Sequence, residues 1–258
     1  MKNAGNLAGL GQTTTGGVTR KIFTSYITRE PKKIEAAQRL RHTVFASIGE
    51  GLPESRVTGK DADDFDAVCD HLCVESESGE IVGTYRLQTG RMANKHFGFY
   101  SAQEFDFRPF EDIHDQLIEL GRASVHPKYQ KVPNVLRLLL RGIADYAKDH
   151  GVTKLIGCSS IPSDNPADGA AVYEFLKKGH LVERRFLTTP TQAYKCPLDV
   201  VSMPPPSTPR LLGLYLLLGA KICGPPALDG EFKSIDFLTL LDTNDIPKQT
   251  WERYFGDQ

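Results

Sequence analysis

From Phe23 onward the chain switches repeatedly between a two-residue and a three-to-four-residue hydrophobic period, and that switching restricts the fold more than any other feature. Phe23 to Thr28 alternates as a strand does, and Pro31 then stands where a first helical turn tolerates it. The helix predicted from there to about Ser47 carries Ala37, Leu40, Val44, Phe45 and Ile48 along one side. "HLCVE" and "EIVGTYRL" flank Glu77-Ser78-Gly79 and predict a hairpin. "IELGRASV" is a further strand, "NVLRLLLRGIADYAKDHG" a largely buried helix ended by Gly151, and "TKLIGCSSI" another strand. "DGAAVYEFLKKGH" then reads as a helix, followed by "HLVERRFL" and "TQAYKCPL" as a final strand pair. This order predicts an α/β chain of the α+β kind, with a mixed central sheet flanked by helices.

Three stretches fall outside the alternation. Residues 1–18 lack the apolar core of a signal peptide, and no hydrophobic strand precedes their glycines, so they read as a flexible tail. Residues 19–200 form the predicted main domain. "SMPPPSTPR" can be neither helix nor central strand, so residues 201–258 read as a proline-rich linker and a helical C-terminal appendage packed on the same domain. "LLGLYLLLGAKICG" is too short to span a bilayer, which takes about 20 apolar residues. It is either a packed helix or a surface that touches lipid.

Charge supplies the next constraint. The formal net charge of −1 offers nothing to nucleic acid as a whole. Its distribution is uneven, because Gly59 to Glu80 carries eight acids against Lys60. Lys128 to Lys154 inverts the balance with Lys128, Lys131, Arg137, Arg141, Lys148 and Lys154. An acidic pocket suits a cationic substrate and a basic rim suits an anionic partner, although two solvated faces would give the same counts. The five scattered cysteines form no disulfide framework and fit a reducing cytoplasm. Cys69-x-His71-x-Cys73 has no second ligand pair, so no metal site is expected.

Two placements are anomalous. Arg41 lies on the apolar side of the first helix, four residues from both Ala37 and Phe45, and must be paired, liganded or snorkelling. Glu119 and Arg122 lie within a β-forming stretch, "ELGRASVHP". A regular strand would turn them to opposite faces, so a bulge near Gly121 is predicted if they work together.

The element order resembles the GNAT acyltransferase fold. The ordered motifs "RLRHTVF", "DADDFDAVCDHLCVE", "GTYRL", "GFYSAQEFD", "ELGRASVHP" and "LYLLLGAKICGPPALDGEFKSIDFLTLLD" resemble the ornithine N-acyltransferases of ornithine-lipid synthesis, the hemolysin-like GNAT proteins, over nearly all of residues 21 to 256. Arginine, acidic and "E-x-x-R" elements are shared more distantly with acylhomoserine-lactone synthases. The resemblance implies two neighbouring strands, Ile118 to Val125 and Thr153 to Ser159, that diverge to admit a pantetheine arm. It also implies transfer of a 3-hydroxyacyl chain from acyl carrier protein to an amino-acid amine, with ornithine as acceptor and no permanently bound cofactor.

Carried over residue by residue, the resemblance singles out Arg41, Asp63, Asp66, Arg86, Glu119 and Arg122. Glu119 is either the general base or an ion-pair partner of Arg122. Asp63 and Asp66 either receive a side-chain ammonium, with Arg41 or Arg86 on the carboxylate, or all four close an internal salt-bridge cluster. Lys128, Lys131, Arg137 and Arg141 are the expected docking face for the acidic carrier. The glycine-rich pyrophosphate loop of the fold is replaced by "QKVPNV", which disfavours coenzyme A more than a carrier protein. The competing expectations are a signal synthase using S-adenosylmethionine and a lipid-binding module without catalysis. A cytoplasmic location, with peripheral contact at the inner membrane, completes the set.

Overall fold

The computed structural model describes residues 22–200 and 207–255. The expected flexible tail and part of the proline-rich linker lie outside these residues. The elements are β1 (Phe23–Thr28), α1 (Pro31–Ser47), α2 (Ser55–Thr58), β2 (Asp70–Ser76), β3 (Ile81–Thr89), α3 (Gly90–Lys95), β4 (Leu117–Val125), α4 (Pro133–Asp149), β5 (Lys154–Ile161) and α5 (Pro166–Leu176). The chain then continues through α6 (Arg210–Leu217), β6 (Lys221–Ile222), β7 (Ala227–Asp229), β8 (Ser234–Asp242) and α7 (Lys248–Tyr254).

One sheet organises the molecule, in the order β1-β2-β3-β4-β5-β8-β6, with β7 also paired to β8. All its pairings are antiparallel except β4 with β5, as the strand–helix–strand passage through α4 requires. On one side α4 lays Val135, Leu139, Leu140 and Ile143 into a core with Leu72, Val74, Val82 and Tyr85. Gly142 makes that approach possible, since a Cβ there would stand 2.6 Å from a Leu72 methyl. A second core, rich in phenylalanine, gathers Phe99, Phe105, Phe110 and Phe186.

The mixed sheet and its helices match the expectation, but the C-terminal part does not. Residues 221–242 are chiefly strand, and β8 pairs with β5 through eight consecutive positions from Lys154↔Asp242 to Ile161↔Ile235. The helical appendage is corrected to an integral layer of the sheet. "SIDFLTLLD" is buried at eight of its nine positions, as befits a strand covered on both faces, and its lack of regular apolar–polar alternation hid it from periodicity. With that place taken, the expected final strand pair does not form. Residues 181–195 instead make short 3-10 turns, Arg184–Phe186 and Gln192–Tyr194, and three isolated bridges. Pro190 and Pro197 lack the N–H that a ladder needs.

Candidate active site

β4 and β5 are hydrogen-bonded only through Leu117↔Lys154, Ile118↔Leu155 and Glu119↔Ile156, and beyond that point they part. Gly157 sits at the fork, where a Cβ would come within 2.3 Å of the Leu120 carbonyl oxygen, so only glycine allows the strands to touch just before they splay. Past the fork, Leu120 to Val125 on one strand and Cys158 to Ser160 on the other line a cavity of about 620 Å³.

Glu119 stands at the apex of this wedge and lines the cavity while only 5% exposed. Its carboxylate accepts hydrogen bonds from the Tyr100 N–H at 2.7 Å and the Ser101 N–H at 2.8 Å, and also from the Ser101 hydroxyl. Burial nevertheless raises its pKa above the ordinary glutamate value, against the lowering pull of those donors and of Arg86. The result is an oriented carboxylate with an acceptor position left on Oε2 and an enhanced affinity for a proton, which is what deprotonating an amine demands.

Arg122 lies across a bulge. The β3–β4 register runs Gly83↔Val125 and Thr84↔Ser124 and then jumps to Arg86↔Gly121, leaving Arg122 and Ala123 opposite Tyr85 alone. The expected bulge is therefore present one residue beyond Gly121, with Arg122 itself in the left-handed region at φ 52°. Arg122 and Glu119 thus both face the cavity. Their charges are engaged separately, because the Arg122 Nη2 donates to Asp63 at 3.0 Å and its Nε lies 3.4 Å from Asp61. The guanidinium is also flanked by the rings of Tyr100 and Phe232, each 4.9 Å away.

The other expected substrate ligands divide. Arg86 lines the cavity; Arg41, Asp63 and Asp66 stand behind it. Arg41 is fully buried, its Nε on Asp61 at 3.0 Å and its Nη1 and Nη2 forked onto Asp66 at 3.0 and 2.6 Å. Arg86 closes onto Asp63 and Asp66. Three arginines thereby balance three aspartates in one network, and its cations hold the Asp63 and Asp66 carboxyls below the usual range. "DADDFDAV" is preshaped for this, since Asp63 caps the short 3-10 turn Asp64–Ala67 and Asp66 answers in a capping box. Of the two open readings for this group, the geometry matches the internal cluster.

Lys128, Lys131 and Arg141 are exposed and Arg137 half-buried; Lys128 is on the turn Pro127–Tyr129, Lys131 on the link to α4, and Arg137 and Arg141 on α4. Their neighbours Tyr129, Gln130 and Leu136 line the cavity.

Residues 40–140 match the family model described as an acetyltransferase (GNAT) domain. The chain is 31% identical, over 250 residues, to the L-ornithine N(alpha)-acyltransferase of Rhizobium meliloti (strain 1021), an alignment covering 90% of this chain and 83% of that one. It is 33% identical over 245 residues to the enzyme of the same name from Brucella abortus (strain 2308), covering 86% and 85%. The chain belongs to the L-ornithine N(alpha)-acyltransferase family. Among solved structures an N-acyl amino acid synthase from uncultured soil microbes superposes with a TM-score of 0.51 over 93% of this chain and 97% of its own, at 15% identity, a likeness of fold.

Within this ornithine acyltransferase relative, sequence reasoning missed four cavity carboxylates, Glu50, Glu104, Asp229 and Asp236. A signal was present for three of them, because Glu104 lies in "GFYSAQEFD" and Asp229 and Asp236 in "LDGEFKSIDFLTLLD". Asp236 in particular is an acid inside an apolar run, the same anomaly that singled out Glu119.

Proposed function

We propose that this enzyme transfers a fatty acyl chain, in its 3-hydroxyacyl form, from the 4'-phosphopantetheine thioester of acyl carrier protein to the α-amino group of ornithine, giving a lyso-ornithine-type lipid. The observation that carries the reading is the fork of β4 and β5 with Glu119 at its apex.

The pantetheine arm enters between the splayed strands and bonds to backbone groups no longer used by the ladder. Glu119 takes a proton from the ammonium, directly or through water, and the freed amine attacks the thioester carbon. Backbone N–H groups of β4 beyond the fork face the oxygen on which negative charge develops. Collapse of the tetrahedral intermediate breaks the C–S bond, forms the amide and releases the pantetheine thiol with a proton. Leu136, Leu139, Leu212 and Leu214 give part of the cavity an apolar wall suited to an alkyl chain.

Two features favour a carrier protein as donor. Lys128, Lys131, Arg137 and Arg141 lie close in sequence to the cavity-lining Tyr129, Gln130 and Leu136, and their charge would complement an acidic partner. Pro133 occupies the first position of α4, where a coenzyme A pyrophosphate would need N–H donors. No helix among the described residues is long and apolar enough to cross a membrane. We place the enzyme in the cytoplasm, releasing its amphiphilic product at the membrane face by peripheral contact.

The test is to incubate purified protein with 3-hydroxyacyl carrier protein and a panel of ornithine, lysine, glycine, glutamine, taurine and S-adenosylmethionine, and to identify products by mass. An acylated ornithine is expected. Acylation of S-adenosylmethionine instead, or no product from any amine, would overturn the proposal.

A further inference from the structure

The cavity that holds Glu119 contains a second acidic group, contributed by β7, β8 and the segment before β4. Glu104, Asp229 and Asp236 bring carboxylate oxygens within 4.8 Å of one another, and all three line the cavity. Their exposures are 2%, 7% and 3%. Asp229 stands on β7 and Asp236 on β8 opposite Ser160 of β5, and Glu104 follows the segment that grips Glu119.

The charge in this part of the cavity is unmatched. Arg86 and Arg122 also line it, but both are held by the Asp61, Asp63 and Asp66 network described above. The third lining arginine, Arg210, is exposed. The Glu104 carboxylate makes a single hydrogen bond among the described residues, from the Cys158 thiol at 3.6 Å. Burial first, and then the neighbouring carboxylates Asp236 and Asp229, push the Glu104 pKa well up. Burial likewise lifts Asp236 to about 6.

A group of acids alone does not specify a ligand. The further observation is Gln88, 1% exposed and lining the same cavity, whose Nε2 donates to the Gly98 carbonyl while its Oε1 has no partner. It lies opposite Glu119 across the β3–β4 ladder. Asp229 accepts from the Glu231 and Phe232 N–H groups and Asp236 from the Ser160 and Ser234 hydroxyls, so the three carboxylates are hydrogen-bonded but, among the described residues, paired with no cation. The cavity presents this acidic group together with the unmet amide oxygen of Gln88. A ligand that answers both carries a cationic donor for the carboxylates and a second N–H donor for the amide oxygen, as the two amino groups of a diamino acid do.

We infer that Glu104, Asp229 and Asp236 receive the side-chain ammonium of a diamino acid acceptor while Glu119 and Gln88 face its α-amino group, so that this triad sets the preference for a basic over a neutral amino acid. The inference rests on the proposed acyl transfer and names the residues that choose its acceptor. Asp63 and Asp66, the acids expected from sequence for this task, are already neutralised by arginine.

The test compares ornithine with norvaline, which is ornithine without its terminal amine, at saturating 3-hydroxyacyl carrier protein. Wild-type enzyme is expected to favour ornithine in kcat/KM by about 10- to 100-fold, the range for a hydrogen-bonded charge in a buried site. Glu104→Gln and Asp236→Asn should each reduce that preference about tenfold or more through KM for ornithine, with kinetics on norvaline little changed. Each variant is measured on both substrates, so partial unfolding lowers both rates and leaves the ratio interpretable. Where one variant fails to fold, Asp229→Asn supplies the comparison, and the wild-type ratio needs no variant. Equal use of ornithine and norvaline by wild type, or an unchanged ratio in a folded variant, overturns the inference while leaving acyl transfer intact. Absence of product from both overturns the proposed function instead. Loss of ornithine preference on adding EDTA, restored by added Mg²⁺ or Mn²⁺, would give the triad to a divalent cation and likewise overturn the inference.

Discussion

Arg122 reaches Asp63 at 3.0 Å across 59 residues of sequence, from a backbone held at φ 52°. A side chain other than glycine pays about 1–2 kcal/mol for that conformation, and here the ion pairs with Asp63 and Asp61 offset it. The bulge thus depends on a network whose remaining members, Arg41, Asp66 and Arg86, come from α1, the acidic loop and β3.

Removing Arg122 should therefore cost stability even where the backbone relaxes. Arg122→Gly relieves the left-handed strain but leaves Asp61 and Asp63 short of a cation, and a net loss of about 2–4 kcal/mol is expected. Arg122→Lys, which keeps the charge and loses the fork, should lose less. Urea denaturation of the two variants measures the difference, and a glycine variant as stable as wild type would show that the network does not hold the bulge.

Gly157 makes a sharper geometric claim. Its would-be Cβ meets the Leu120 carbonyl oxygen at 2.3 Å, so Gly157→Ala must push β5 from β4 at the fork. The expected cost is about 1–3 kcal/mol, with a fall in kcat larger than the fall in stability explains. Thermal melts and steady-state rates on the same preparation separate the two effects.

For Glu119, the expected signature is kinetic. Its pKa is raised by burial and the proposed general base acts as the carboxylate, so kcat/KM should rise with pH through a limb lying above the ordinary glutamate value. Glu119→Gln should lower the rate by about 10²- to 10⁴-fold and abolish that limb. A variant that retains both rate and limb would remove Glu119 from the chemistry.

Glu50 gives a test of stability against pH. Burial first, and then Asp236, raise its pKa to about 8, with Arg122 opposing. A carboxyl whose folded value exceeds its unfolded value of 4.5 contributes stability that is fully present below pH 4.5 and lost as pH rises through 8. Glu50→Gln should therefore match wild type near pH 4 and exceed it at pH 8 by a few kcal/mol, at about 1.4 kcal/mol per pKa unit. Guanidinium titrations at both pH values read the difference directly.

The proposed docking face is tested through the donor. Lys128→Glu with Lys131→Glu should raise KM for acyl carrier protein about tenfold at low salt while leaving KM for an acyl-pantetheine fragment unchanged. An equal effect on both donors would argue against docking at this face.

Several features were legible before any coordinates. Helix α1 begins at Pro31 and ends at Ser47 as the periodicity indicated, and the β2–β3 hairpin turns at Gly79, φ 81°. The apolar placement of Arg41 announced a buried partner, and that of Glu119 a carboxylate held by buried donors, because an ion in an apolar setting is costly unless something answers it. Local period and misplaced charge are properties of short segments, and a sequence displays both. What answered Arg41 was Asp61 and Asp66 rather than a substrate, and the strand that fills the sheet beside β5 came from residues 234–242 rather than 180–198. Only the tertiary structure decided these pairings, and with them the convergence of Glu104, Asp229 and Asp236. Each joins residues far apart in the chain, and no periodicity within a segment records which distant partner will occupy the space beside it.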